Sequence, residues 1–261
     1  MIESDLSLPG SQAEEPSPHA SLLLAAKGGG LIFFGRLFEY GSRFVLGLVV
    51  ARVLGAEGLG LYTLGVSTAV LLSAVSRLGL SEGLVRYLPP ALREGNESLV
   101  WGTLQVSIAL TVAVSIVLAA VLLGLSGVLT EELFRQPEAT PVLRWASLII
   151  PLVAFGRLLL AATRAFQRME YQLYGESILF NVSRLVLTII FLAVGLSVPG
   201  ALLAYALAWL LVDMMMLYVV NQLFPLRRPL NPAQRNVREL LSFSVPVCLT
   251  QVTIQLRGMF G

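Results

Sequence analysis

The chain has 261 residues, of which 56% are hydrophobic and 13% are charged, and its mean hydropathy is +0.79. Soluble domains carry about 25% charged residues, so this composition argues against a soluble protein and predicts an integral membrane protein. The net charge is only +2. One cysteine and one histidine argue against a disulfide, a zinc or haem site and a catalytic triad, so we expect neither an enzyme nor a cofactor.

Residues 1–27 are predicted to form a disordered cytoplasmic tail. Their first part is acidic and rich in Pro and Ser, and it lacks the basic start and the apolar core of a signal peptide. Apolar stretches of about 20 residues follow, and a helix of that length crosses a bilayer. The predicted spans are Gly28–Ala51, Gly58–Val75, Leu99–Leu125, Val142–Ala165, Ser177–Leu196, Ala201–Leu223 and Glu239–Gly261.

These spans predict an all-α integral membrane fold, with a six-helix transmembrane lobe and the start of a seventh helix. We expect the N-terminal lobe to cover residues 28–223 and a cytoplasmic inter-lobe loop to cover 224–238. The seventh helix, at 239–261, would open a truncated second lobe. Short connections such as Ser197–Gly200 make successive helices antiparallel neighbours. Because the seventh span is still apolar at Gly261, we expect the chain to be a fragment of a longer protein.

The arginines of the loops predict the orientation, because basic residues are enriched on the cytoplasmic side of a membrane. The loops after spans two, four and six hold nine of them: Arg77, Arg86, Arg93, Arg164, Arg168, Arg227, Arg228, Arg235 and Arg238. The opposite loops hold three, which are Arg52, Arg135 and Arg144. This asymmetry predicts a multi-pass protein of the cell (plasma) membrane with a cytoplasmic N-terminus.

Several predicted spans also carry charged residues near their middles. A charge at the centre of a span costs roughly 2.5–3.5 kcal/mol on insertion scales, and such residues usually face a bundle interior or a water-filled cavity. Five arginines against two carboxylates leave a surplus of three positive charges, which favours a solvated cavity for an anion, and Arg binds phosphate oxygens in bidentate fashion. The candidate substrate-binding residues are Arg36, Glu39, Arg43, Arg157, Arg184, Asp213 and Arg257.

The spacing in the first span supports a common face. Arg36, Glu39 and Arg43 follow at i, i+3 and i+7, and Glu39 with Arg43 has the favourable order of an i, i+4 ion pair. The alternative is that the charged residues pair with each other or with backbone carbonyls and only hold helices together. Asp213 has no partner visible in the sequence, and Arg184 can extend towards a membrane interface.

Two segments resemble a known family. Val53–Tyr62 resembles the LG-x-x-x-x-G-x-Y turn of polysaccharide flippases, and Arg77–Pro89 resembles the segment that follows it there. The chain is similar over about residues 28–261 to the first half of a Wzx-type flippase of lipid-linked oligosaccharides. That family belongs to the multidrug/oligosaccharidyl-lipid/polysaccharide exporter superfamily.

The resemblance implies two six-helix lobes around a central cavity that works by alternating access. It implies that a polyprenyl-pyrophosphate-linked oligosaccharide moves from the cytoplasmic to the outer leaflet for cell-surface polysaccharide biosynthesis. It also implies that Arg36, Arg43 and Arg257 line the cavity. The implied partners are this substrate, membrane lipid, a coupling ion and, if the chain is a fragment, the missing second lobe; no nucleic acid is expected.

Three alternatives stay open at this point. A multidrug or cation antiporter of the same superfamily is one, although organic cations favour acidic or aromatic cavities over cationic ones. An integral-membrane enzyme of lipid-linked sugars usually needs a large outer loop with acid–base residues, and the outer connection Ser126–Pro141 contains no histidine. A structural membrane scaffold would leave the surplus of arginines unexplained.

Overall fold

The computed structural model describes residues 18–133, 136–166, 168, 170–223 and 253, with the side chains of 18–34 and 133 excepted. The predicted inter-lobe loop at 224–238, Arg257 and, apart from the helical Thr253, the seventh span lie outside the described residues. The described residues form helices and no strand. The α-helices are α1 Pro18–Ser76, α2 Leu80–Arg93, α3 Glu97–Val128, α4 Ala139–Ala165, α5 Glu170–Gln172, α6 Asn181–Ala193 and α7 Val198–Leu223, and Leu129–Leu133 and Leu173–Phe180 are π-helical.

A single glycine interrupts α1. Gly55 has φ 73° and ψ −177°, a backbone region open almost only to glycine, and it divides α1 into a first arm over 18–54 and a second arm over 56–76. The break replaces the loop that we expected between the first two spans. At its other end α1 begins at Pro18, so helix reaches back into the expected disordered tail, where the Leu- and Ala-rich run 22–26 favours it.

Within the described residues, five helical stretches are long and apolar enough to cross a membrane: Gly35–Ser76, Glu97–Glu132, Ala139–Ala165, Glu170–Ala193 and Val198–Leu223. The first has 42 residues. At 1.5 Å per residue it is roughly 63 Å along its two arms, about twice the hydrocarbon thickness of a bilayer, so each arm is long enough for one crossing. The all-α membrane fold class is therefore confirmed.

The core of the bundle lies along α4 and α7. Their most apolar windows are 72% and 56% buried, against 17% for α1 and 22% for α3. α4 packs against α1, α2, α3 and α7, and α7 also packs against α6. α2 is amphipathic, and its buried apolar face packs against α3 and α4. This packing leaves a space between α1, α4, α6 and α7.

Candidate functional site

A cavity of about 500 Å³ lies in that space. Both arms of α1 line it, together with α4, α7, α6 and the π-helical segment before α6. The charged side chains that line it are Glu39, Arg43, Arg157, Glu176 and Arg184. Four aromatic side chains complete the wall, namely Tyr62, Phe180, Tyr205 and Trp209. Three arginines from three different helices therefore meet around one space.

The first ion pair of the cavity is local to α1. Arg43 Nη2 lies 2.6 Å from Glu39 Oε1, at the i, i+4 spacing that the sequence indicates. The Arg43 side chain is 55% exposed and Glu39 is 23% exposed. The pair therefore lies at the open side of the cavity rather than in its depth.

The second ion pair joins two helices. Arg157 Nη2 of α4 lies 3.3 Å from Glu176 Oε1 of the π-helical segment. Sequence reasoning missed Glu176, and its only signal was a position one residue before the predicted fifth span. Asn181 Nδ2 supports the π-helix locally, because it donates to the backbone oxygens of Glu176 at 3.0 Å and Ser177 at 2.9 Å. Single π turns are often found at functional sites.

Arg184 has a different environment from the other two arginines. Its guanidinium carbon lies 5.3 Å from the centre of the Tyr205 ring and 5.6 Å from that of Phe180. Its buried Nε, like that of Arg157, has no hydrogen-bond acceptor among the described residues. Unlike Arg43 and Arg157, Arg184 also has no carboxylate partner in that part of the chain. Cation–π contacts stabilise this charge without neutralising it.

The aromatic rings hold each other in place. Phe180 meets Tyr205 edge to face, with 5.3 Å between the ring centres and 84° between the planes. Phe180 also contacts Trp209, whose ring centre is 4.8 Å away. The guanidinium carbon of Arg157 in turn lies over Trp209, 5.6 Å from the centre of its ring. Phe180, Tyr205 and Trp209 are all buried. The guanidinium groups of Arg157 and Arg184 therefore contact a packed aromatic wall.

The described part of the cavity carries one net positive charge, since three guanidinium groups face two carboxylates. The surplus is smaller than the three charges expected from the sequence, because Glu176 adds a carboxylate that was not counted and because neither Arg36 nor Arg257 is among the described lining residues. The position of Asp213 outside the cavity offsets one of these three losses. Arg36 is exposed on α1 and does not line the cavity. Arg257 lies outside the described residues.

Asp213 is buried beside the cavity rather than in it. It is 5% exposed and lies on α7, one turn after Trp209. Its Oδ1 occupies the space that a side chain at Gly156 of α4 would fill. Neither carboxylate oxygen has a hydrogen-bond partner among the described residues. Asp213 is therefore an ionisable group at the α4–α7 contact that lacks a hydrogen-bond partner within the described part of the chain.

Positive charge continues from the cavity to the turn between α1 and α2. Arg77, which lies outside the spanning segments, donates from Nε to the backbone oxygen of Ser73 at 3.2 Å. Burial, followed by the positive charges of Arg157 and Arg164, lowers the pKa of Arg77 to about 10, although Glu82 and Glu176 act in the opposite direction. Arg77 thus stays protonated at neutral pH, close to the Arg157–Glu176 pair.

A protein family described as "Polysaccharide biosynthesis protein" matches residues 25–260 of this chain. The chain belongs to this family. The match confirms the resemblance carried by residues 53–62 and 77–89. Together with the five spanning helical stretches, it makes the chain a multi-pass member of a membrane protein family.

The chain is also similar to a curated protein. The chain is 26% identical over 162 residues to stage V sporulation protein B of Bacillus subtilis (strain 168). The match covers 60% of this chain and 31% of that protein, so the chain spans about a third of the length of the relative that it matches. No solved structure gives a significant match.

Proposed function

We propose that this chain is part of a flippase for polyprenyl-pyrophosphate-linked oligosaccharides. The flippase would move its substrate from the cytoplasmic to the outer leaflet by alternating access, for cell-surface polysaccharide biosynthesis. One observation carries the proposal: Arg43, Arg157 and Arg184 line the same cavity within a bundle of membrane-spanning helices. Membership of a polysaccharide biosynthesis family supports the class of substrate.

The chemistry of the cavity suits a diphosphate group. A diphosphate that leaves water must exchange its hydration for charge-assisted hydrogen bonds, and guanidinium groups supply these in bidentate geometry. The volume of about 500 Å³ falls within the range of about 300–1,000 Å³ typical of small-ligand sites. The cavity would hold the head group, while the polyprenyl chain stays in lipid.

The distribution of charge suggests a direction of entry. The positive-inside rule would place the turn that contains Arg77 on the cytoplasmic side. Arg77 interacts electrostatically with Arg157 and Arg164, so positive charge continues from that surface into the cavity. Such a gradient would concentrate an anionic head group at the cytoplasmic mouth of a protein in the plasma membrane.

We further propose that the described helices form one lobe of the transporter. A second lobe, from further sequence or from a second copy, would close the open side of the cavity. The first arm of α1 fits this role, because Leu37, Tyr40 and Phe44 are 58%, 64% and 72% exposed beside the Glu39–Arg43 pair. A partner lobe would cover part of this apolar surface, and lipid would cover the rest.

An exporter of organic cations is the second candidate. Glu39 and Glu176 line the cavity together with four aromatic side chains, and organic cations favour such surroundings. Both carboxylates are, however, already paired with arginines, and the described lining keeps a net positive charge. The flippase is therefore the stronger proposal.

The test uses the full-length protein in proteoliposomes. Translocation of an NBD-labelled polyprenyl-pyrophosphate disaccharide is followed by dithionite quenching. We expect Arg43→Ala, Arg157→Ala and Arg184→Ala each to reduce the rate at least tenfold, because each removes a guanidinium from the cavity. Arg144→Ala is the matched control, since Arg144 lies exposed on α4 outside the cavity. Normal rates in all three variants, or transport of ethidium instead of the lipid, would refute the proposal.

A further inference from the structure

We infer that Arg184 is the principal ligand of the substrate's phosphate groups and that the rings of Phe180 and Tyr205, here called the aromatic cradle, position it. The inference rests on the proposed function and refines it. The family resemblance points instead to Arg36 and Arg43 of the first predicted span and to Arg257 of the seventh predicted span. The three cavity arginines are not equivalent, and their partners distinguish them.

Two of the three arginines already have carboxylate partners. Arg43 lies 2.6 Å from Glu39, and Arg157 lies 3.3 Å from Glu176. A phosphate that binds either guanidinium must approach a carboxylate as well, and the repulsion between the two anions offsets part of the attraction. Arg184 has no carboxylate partner in the described ranges, so the net positive charge of the cavity resides on it.

The aromatic cradle holds Arg184 without consuming its hydrogen bonds. A guanidinium carries five N–H donors, and a ring face attracts the cation through its quadrupole rather than through a lone pair. The buried Nε lacks an acceptor in the described part of the molecule, and buried donors are normally satisfied. Phosphate oxygens that enter the cavity would supply acceptors to this guanidinium.

The cradle is also tightly packed. Phe180 precedes Arg184 by four residues, so the two side chains lie on the same side of the helical stretch. Phe180 is 7% exposed and Tyr205 is 4% exposed, and their rings contact each other edge to face. A guanidinium that is held before the ligand arrives loses less conformational entropy on binding.

A tyrosine of α1 faces the same group. The hydroxyl of Tyr62 interacts electrostatically with the Arg184 guanidinium and lies near hydrogen-bonding distance of it, although the contact lacks the geometry of a full hydrogen bond. Tyr62 is buried and lines the cavity. Its hydroxyl is thus available as a second donor to an anion held by Arg184, which places that anion between α1 and α6.

The test measures binding of inorganic pyrophosphate and of geranyl pyrophosphate to the full-length protein in nanodiscs. Arg184→Gln and Arg43→Gln each lower the net charge of the cavity from one to zero, so a difference between them reports contact rather than total charge. We expect Arg184→Gln to weaken both probes at least tenfold and Arg43→Gln to weaken them at least threefold less. Arg144→Gln, outside the cavity, should bind like the wild type.

The role of the cradle is tested by paired substitutions. Tyr205→Leu removes a ring face and should weaken both probes about fivefold, whereas Tyr205→Phe keeps the face and should restore binding. The slope of binding against salt concentration should stay the same in Tyr205→Leu, because the charge is retained, but should fall in Arg184→Gln. Thermal unfolding of each variant distinguishes loss of the ligand site from loss of the fold.

The outcomes separate this inference from the proposed function. If Arg184→Gln and Arg43→Gln weaken the probes equally, Arg184 is not the principal ligand, but the cavity still binds anions and the flippase proposal stands. If Tyr205→Phe binds as poorly as Tyr205→Leu, the cradle does not act through its ring face. If neither probe binds the wild type, both proposals fail. If only geranyl pyrophosphate binds, the site is one for a lipid head group rather than for a free phosphate.

Discussion

Adding one methyl group at Gly156 would disturb the contact between α4 and α7. A Cβ at this position would lie 2.7 and 2.9 Å from Cε3 and Cζ3 of Trp209 and would overlap Oδ1 of Asp213. Ordinary carbon–carbon contacts are about 3.5–4.0 Å, so the ring must move by roughly 1 Å. Trp209 is 1% exposed and packs against Phe180, which leaves it little room to do so.

The magnitude follows from two opposing effects. Overpacking of a dense core costs about 1–3 kcal/mol, whereas Ala in place of a helical Gly recovers roughly 0.5–1 kcal/mol. We therefore expect Gly156→Ala to lower the free energy of unfolding by about 0.5–2 kcal/mol. Gly124 is the matched control, because it lies on α3 and no neighbouring atom among the described residues would lie within 4 Å of a Cβ added there. Gly124→Ala should stabilise by about 0.5–1 kcal/mol.

The assay is reversible unfolding of the full-length protein in detergent micelles, with both glycine variants measured beside the wild type. Because the propensity gain is common to the two variants, the difference between them isolates the overpacking. Gly156→Ala should also slow translocation, since Trp209 supports Arg157. Equal stabilities of Gly156→Ala and Gly124→Ala would refute the close approach of α4 and α7 at this glycine.

Three further predictions concern single residues. Asp213→Leu should raise the free energy of unfolding by about 1–3 kcal/mol in the same assay. The reason is that it removes two buried oxygens that lack partners among the described residues. A loss of stability would mean that the carboxyl group has a partner. Glu176→Gln should tighten pyrophosphate binding in a titration at least threefold, since the described cavity then gains a second net positive charge; weaker binding would show that the carboxylate orients Arg157 for the ligand. Gly55→Ala should lower the free energy of unfolding by about 1–3 kcal/mol, because its φ of 73° with ψ near 180° is accessible almost only to glycine. The measurement is thermal unfolding, and an unchanged melting temperature would contradict the break in α1.

The positions of the spans could be predicted from the sequence, because a run of apolar residues long enough to cross a bilayer is a local property. α3 at Glu97–Val128 contains the predicted span Leu99–Leu125, and α7 at Val198–Leu223 contains Ala201–Leu223. The boundary at Gly55 was less clear, because Arg52 and the gap between the predicted spans Gly28–Ala51 and Gly58–Val75 indicated a loop. The helix instead continues on both sides of a single residue, which only the backbone dihedrals reveal.

The Glu39–Arg43 pair was likewise predictable, because helix geometry alone brings residues i and i+4 together. The Arg157–Glu176 pair was not, because its distance depends on how α4 packs against a π-helical segment. Glu176 stood at the edge of a predicted span, where a carboxylate normally reaches water. Its role in the cavity became visible only when the helices were placed next to each other.

The sequence by itself determined that this is a helical membrane protein with arginines inside its spans, because hydropathy and residue type do not depend on the neighbours. Only the tertiary structure decided which charges share a cavity. Arg184 joined Arg157 there, whereas Arg36 remained on the surface and Asp213 was buried behind Trp209. The physical reason is that side-chain packing between helices, as at Gly156, sets the rotation of each helix about its own axis. Hydropathy averaged along a span carries no information about this rotation.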